Sequence, residues 1–176
     1  DNSLDRPVQK TGFSNIQVDP DNYHHCLKVY FTNKNSGWIL ALNTILMTTD
    51  GGKNWEYMEL TNSTMEHLKS MYVLDHNNVF VGLKSGVLKK TSDGGATWFD
   101  INDGKENEDK VKPYRTIVGI HFQDNNNGFV VTVPASDYAF IYKTTDGAKT
   151  WDELIIRAKP GYFAILLTDI QFVNDD

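Results

Sequence analysis

The chain has 176 residues, 40% of them apolar and 12% aromatic, and a formal net charge of −6. That profile suits a packed body rather than a disordered tail, and Lys interspersed among a majority of Asp and Glu argues against a nucleic-acid binder, whose affinity needs clustered cations. Cys26 is the only cysteine, which rules out an intrachain disulfide and a cysteine-ligated metal site, and no stretch approaches the roughly 20 apolar residues of a membrane-spanning helix.

In chain order, an N-terminal segment and lead-in strand occupy residues 1–26, and a repeating unit then begins. The first copy, residues 27–66, places an apolar strand at Val29-Tyr30-Phe31, an Asn-rich turn from Asn33 to Gly37, and strands at Trp38-Ile39-Leu40, Ile45-Leu46-Met47 and Trp55 to Leu60. The second, residues 67–114, has Met71 to Leu74, a turn over Asp75 to Asn78, then Val79-Phe80-Val81, Val87-Leu88 and Trp98 to Ile101. The third, residues 115–163, has Ile117 to Phe122, a turn over Asp124 to Gly128, then Phe129-Val130-Val131, Phe140-Ile141-Tyr142 and Trp151 to Ile156. Residues 164–176 carry Ile170-Gln171-Phe172-Val173, the first strand of a further copy. Alternation and turn chemistry, with little helical periodicity, predict strands throughout, and the mostly apolar first strands predict burial on both faces.

Between the third and fourth strand of each copy lies one motif: Thr48-Thr49-Asp50-Gly51-Gly52-Lys53-Asn54-Trp55, Thr91-Ser92-Asp93-Gly94-Gly95-Ala96-Thr97-Trp98 and Thr144-Thr145-Asp146-Gly147-Ala148-Lys149-Thr150-Trp151. The motif aspartates are 43 and 53 residues apart, the spacing of β-propeller blades. We therefore expect an all-β propeller of four-stranded antiparallel blades, with about three blades present and the ring incomplete. The chain is expected to be a piece of a larger ring; several copies completing one ring together is the alternative. Thr48, Asp50, Gly52, Trp55, Thr91, Asp93, Gly95, Trp98, Thr144, Asp146 and Trp151 are assigned a structural role. Each Asp can accept backbone N–H bonds across its hairpin, Gly supplies positive φ, and Trp covers the loop. Ala148 departs from the Gly of the other two copies, so the third hairpin is expected to be strained or differently turned.

With Gly37-Trp38 and Gly128-Phe129 opening the second strand, the full unit resembles the Asp-box or BNR repeat family of the sialidase-like superfamily. It is most similar to the photosystem II stability and assembly factor-like propellers. The resemblance implies a non-catalytic scaffold that binds a protein partner, or a glycan, with no cofactor and an extracytoplasmic home in the periplasm, at the cell surface or in secretions. The competing class is a piece of a sialidase-like or other glycoside hydrolase propeller. Its three substrate-clamping arginines would have to be Arg6, Arg115 and Arg157, and Asp5-Arg6-Pro7-Val8 does not match that family's Arg-Ile-Pro signature. In such a blade the links between blades and the loops between second and third strands share one face, the side on which Asp-box enzymes carry their active sites. Tyr114, Arg115, Tyr138 and Arg157 fall on or beside it, and Tyr and Arg are enriched at binding hot spots. These four are the expected contacts. No metal site is expected, because His24, His25, His67, His76 and His121 lack ligand spacing.

Overall fold

The computed structural model describes residues 26–41, 43–58, 60, 67–101, 115–135, 138–157 and 170. They form twelve strands and no helix. The strands are β1 (Cys26–Phe31), β2 (Gly37–Ala41), β3 (Ile45–Thr48), β4 (Glu56–Met58), β5 (Leu68–Val73), β6 (Val79–Leu83), β7 (Leu88–Thr91), β8 (Phe99–Asp100), β9 (Ile117–Phe122), β10 (Gly128–Ala135), β11 (Tyr138–Thr144) and β12 (Asp152–Arg157). They pair as three separate antiparallel meanders, β1-β2-β3-β4, β5-β6-β7-β8 and β9-β10-β11-β12. These are three successive blades of a propeller whose ring does not close among the described residues. The expectations for residues 1–25, for the link 102–114 and for the fourth-copy strand, Ile170 excepted, lie outside the described residues.

The blades repeat in register, not only in order. Each first strand carries one unpaired residue at the same point, Leu27, Lys69 or Val118, so Val29, Met71 and Ile120 occupy equivalent positions. Such a bulge tightens the local twist of the strand. Two apolar cores result, one per junction. Trp38, Leu40 and Ile45 meet Leu68, Met71, Val79, Val81 and Leu83 between the first two blades. Phe80 and Leu88 meet Ile117, Ile120, Phe122, Val130 and Tyr142 between the second and third. Backbone acceptors at the junctions are met by side chains, with Tyr30 donating to Met71 O at 2.9 Å and Ser70 to Ile117 O at 2.8 Å.

The burial expected of the first strands holds best in β9, buried at four of six positions, holds in part in β5, and fails in β1. The second strand β6 is buried at all five positions, whereas β1 is exposed or half-exposed throughout. The reason is positional: a second strand has a hydrogen-bonded neighbour on each side and, in the middle blade, a packed blade against each face. A first strand is a sheet edge, and β1 carries Val29 and Phe31 on a face that no described blade covers.

Candidate functional site

The three motifs build the same hairpin. In the first, Asp50 Oδ1 accepts from Thr48 Oγ1 and Asn54 N, each at 2.9 Å, and Oδ2 accepts from Asn54 Nδ2 at 2.7 Å. Asp93 is held by Thr91 Oγ1 at 2.8 Å, Thr97 N at 2.9 Å and Thr97 Oγ1. Asp146 takes the corresponding bonds from Thr144 and Thr150 at 2.6–2.9 Å. Hydrogen bonds to the ionised form lower a carboxyl pKa. The backbone and side chain of Asn54 hold Asp50 at about 2, and the side chain and backbone of Thr97 do the same for Asp93. At Asp146 partial burial pushes upward, but Thr150 and Thr144 outweigh it and the value is again about 2. A carboxylate so committed is neither a proton donor nor a base near neutral pH.

Thr48 and Thr91 also accept from the backbone N–H of Gly52 and Gly95 at 2.9 and 2.8 Å, and in the third hairpin Thr144 accepts from Ala148 N at 2.9 Å. Gly52 and Gly95 have φ of 85° and 91°, and Ala148 adopts 72°. The third hairpin is therefore turned like the others, with an L-residue held in the left-handed region at a cost of about 1–2 kcal/mol. Each hairpin is tied to the first turn of its own blade: Gly51 N donates to Asn35 O, Gly94 N to Asn77 O and Gly147 N to Asn126 O, at 2.7–3.1 Å. In those turns Asn33, Asp75 and Asp124 cap two backbone N–H groups apiece. The tryptophans act at the blade faces. Trp98 packs edge-on against Trp38 of the first blade, with 6.5 Å between centroids, Trp151 lies in the second core, and Trp55 meets Phe31 edge-on.

The opposite end of the third blade has different chemistry. Arg115, just before β9, lays its guanidinium over the Phe140 ring at 4.2 Å, and Arg157, at the end of β12, lies over Tyr138 at 5.4 Å. Tyr138 and Arg157 are direct cross-strand partners, and Phe140 sits two residues further along the same face. The structure thus gathers three of the four expected contacts at one end of one blade; Tyr114 lies outside the described residues. Two buried polar atoms there, Arg115 Nη1 and Thr132 Oγ1, have no hydrogen-bond partner among the described residues, and Thr132 pairs across from Phe140. A buried donor without an acceptor is costly, about 1–3 kcal/mol.

Two residue pairs along the sheet from Phe140, Tyr142 and Glu153 form a Tyr–carboxylate pair near Arg115. Burial first, and then the Glu153 charge and hydrogen bond, push the Tyr142 hydroxyl up to about 12, which Arg115 only partly offsets. That phenol is protonated at neutral pH and 3% exposed, the opposite of an activated nucleophile.

Sequence reasoning did not anticipate a cleft of about 420 Å³ on the motif side between the first two blades. Its walls include Tyr30, Phe31, Asn33, Leu74, Asp75 and His76. It arises from the packing of two turns more than 40 residues apart. His67 is engaged with Asn43 Oδ1 at 2.9 Å, and His121 packs on Tyr72 at 4.8 Å between ring centroids. No cluster of three or more His, Cys, Asp or Glu that could hold a metal occurs among the described residues, nor does any helix long and apolar enough to cross a membrane.

Residues 7–109 match the family model described as photosynthesis system II assembly factor YCF48. A curated relative, a xyloglucanase from Paenibacillus sp, is 31% identical over 157 residues, which is 76% of this chain but 15% of that protein. Among solved structures, YCF48 bound to D1 peptide aligns with a TM-score of 0.58 at 23% identity, over 74% of this chain and 40% of that one. YCF48 from Cyanidioschyzon merolae aligns with a TM-score of 0.57 at 21% identity, over 78% and 41%. The computationally designed Ika4 protein aligns at 0.53 and 17%, over 88% and 83%. This chain thus spans about two fifths of the YCF48 structures and a small fraction of the xyloglucanase, and at these identities the structural likenesses speak to fold.

Proposed function

This chain belongs to the photosynthesis system II assembly factor YCF48 family, and from that premise we propose that it is a non-catalytic scaffold that holds a protein partner at the Arg115 end of its third blade. The observation that carries the reading is the ladder of Arg115 on Phe140 and Arg157 on Tyr138 at one end of the blade, where Tyr138 and Arg157 are exposed. Guanidinium groups held over aromatic rings are pre-ordered, and a partner that brings acceptors gains hydrogen bonds at little entropic cost. The relative solved with a D1 peptide supports a peptide segment as the ligand class. The home we propose is extracytoplasmic.

The hydrolase reading has less support. The xyloglucanase likeness covers a small part of that enzyme, the motif carboxylates are locked as hydrogen-bond acceptors, and Tyr142 is not ionisable near neutral pH. Calorimetric titration of the chain with the D1 peptide, alongside a panel of neutral and acidic glycans, tests the proposal. Arg115→Ala and Arg157→Ala should each weaken peptide binding about tenfold or more, as loss of a charge-assisted contact worth roughly 1.5–3 kcal/mol requires. Unchanged affinity in both variants refutes the site, and binding of glycans alone replaces the partner class.

A further inference from the structure

The outer edges of the three blades are not alike. β4 has three residues and β8 two, whereas β12 runs for six, Asp152-Glu153-Leu154-Ile155-Ile156-Arg157. It is the terminal strand of its sheet, bonded among the described residues to β11 on one side only. Leu154 and Ile155 are 58% and 43% exposed, on opposite faces of that strand. A long edge with apolar residues is a template for strand addition unless something blocks it.

We infer that β12 pairs antiparallel with β12 of a second copy of this chain, centred on Ile155, joining two blades into one eight-stranded sheet. A two-fold axis perpendicular to the sheet keeps each side chain on its own face. Opposed residues must then have numbers of equal parity, because opposed residues in an antiparallel pair point the same way. In the register centred on Ile155, Glu153 faces Arg157 of the partner subunit, Leu154 faces the partner's Ile156, and Ile155 faces the partner's Ile155. Two cross-strand ion pairs flank an apolar centre on one face, and two Leu–Ile pairs fill the other.

The sequence disfavours the neighbouring solutions. Moving the centre to Leu154 puts Glu153 opposite the partner's Ile155. Parallel in-register pairing puts Glu153 on the partner's Glu153 and Arg157 on the partner's Arg157, like charges that repel. The symmetric contact closes at two copies. It does not rest on the partner-binding reading.

Sedimentation equilibrium of the whole chain over a concentration series is the experiment. The expected result is a reversible shift from 20.0 kDa toward twice that mass. Glu153→Arg and Arg157→Glu should each abolish the shift, and the double variant carrying both changes should restore it. Ile155→Glu, which sets like charges face to face on the axis, should also give monomer, with circular dichroism confirming that this exposed substitution leaves the sheet folded. A wild-type chain that stays monomeric at millimolar concentration, a double variant that fails to dimerise while folded, or assembly beyond two copies would overturn the inference. So would dimers indifferent to Ile155→Glu, which would place the contact elsewhere. Peptide titration of the wild-type chain below and above the concentration at which it dimerises separates the two claims, since no side chain of the arginine end is changed.

Discussion

Replacing Gly128 by Ala tests how the blades are packed. In the first and third blades the last residue of the first strand is Phe, and its cross-strand partner is Gly: Phe31 opposite Gly37, and Phe122 opposite Gly128. In the second blade the same pair is Val73 opposite Val79. The ring lies over the space a Cβ would fill. A Cβ on Gly128 would sit 2.5 Å from Phe122 Cε1, and one on Gly37 would sit 2.7 Å from Phe31 Cε1, against the roughly 3.5–4.0 Å that carbon atoms prefer. What differs is whether the ring can leave. Phe122 is fully buried and stacked on Phe80, 3.8 Å between centroids and 7° from parallel, whereas Phe31 is 52% exposed. Gly128→Ala should therefore incur overpacking of about 1–3 kcal/mol and the partial loss of a stack worth about 0.5–1.5 kcal/mol, about 2–4 kcal/mol in all. Gly37→Ala should cost less, about 0.5–1.5 kcal/mol, because Phe31 can swing into solvent at the loss of its edge contact with Trp55, while Ala narrows the unfolded ensemble. For a chain of this size each kcal/mol moves the melting temperature by roughly 2–4 °C, so thermal unfolding by circular dichroism separates them. Equal losses for the two variants, or a larger one for Gly37→Ala, would show that the freedom of the facing Phe ring does not set the cost.

The motif carboxylates make a pH prediction. Asp50, Asp93 and Asp146 sit at about 2 when folded, against 3.8 for an unconstrained carboxyl, so between those values the unfolded chain binds more protons. Their stabilisation is complete above about pH 4 and drains away as pH falls toward 2. Melting temperature followed from about pH 6 to about pH 2 should drop through that window, and less steeply in Asp93→Asn; a drop centred above about pH 5 would implicate other groups. Gly95→Ala should destabilise by about 1–3 kcal/mol in denaturant titration, since φ is 91° and a Cβ would lie 2.5 Å from Met58 Sδ. Ala148→Gly should change stability by less than that, because relief of the left-handed strain is offset by loss of a buried methyl.

Much of the architecture was legible because the repeats punctuate it. Thr, Asp and Trp recur at fixed offsets, and the strands flank them in the order the sequence predicts. The pairing of Phe31 with Gly37 and of Phe122 with Gly128 was not legible, because it depends on cross-strand register rather than on spacing along one strand. Nor was the burial of β6, which follows from having a blade on each side. At Ala148 the substitution leaves two readings open, a strained hairpin or a different turn, and the structure selects the first: the bond from its N–H to Thr144 keeps the hairpin geometry with an L-residue at positive φ. Arg115, Tyr138 and Arg157 were singled out by type and loop position, but the stacking of Arg115 on Phe140, 25 residues away in sequence, needed the folded blade. The cleft beside Phe31 and His76 had no sequence signal, being made by two turns from different blades.

The most direct test of the scaffold proposal is an amide chemical-shift map of the chain titrated with the D1 peptide. Perturbations should concentrate at Arg115, Tyr138, Phe140 and Arg157, with the hairpins of Asp50 and Asp93 unmoved. Perturbations gathered instead around Asn33, Asp75 and His76 would contradict the proposal and move the binding face to the other side of the blades.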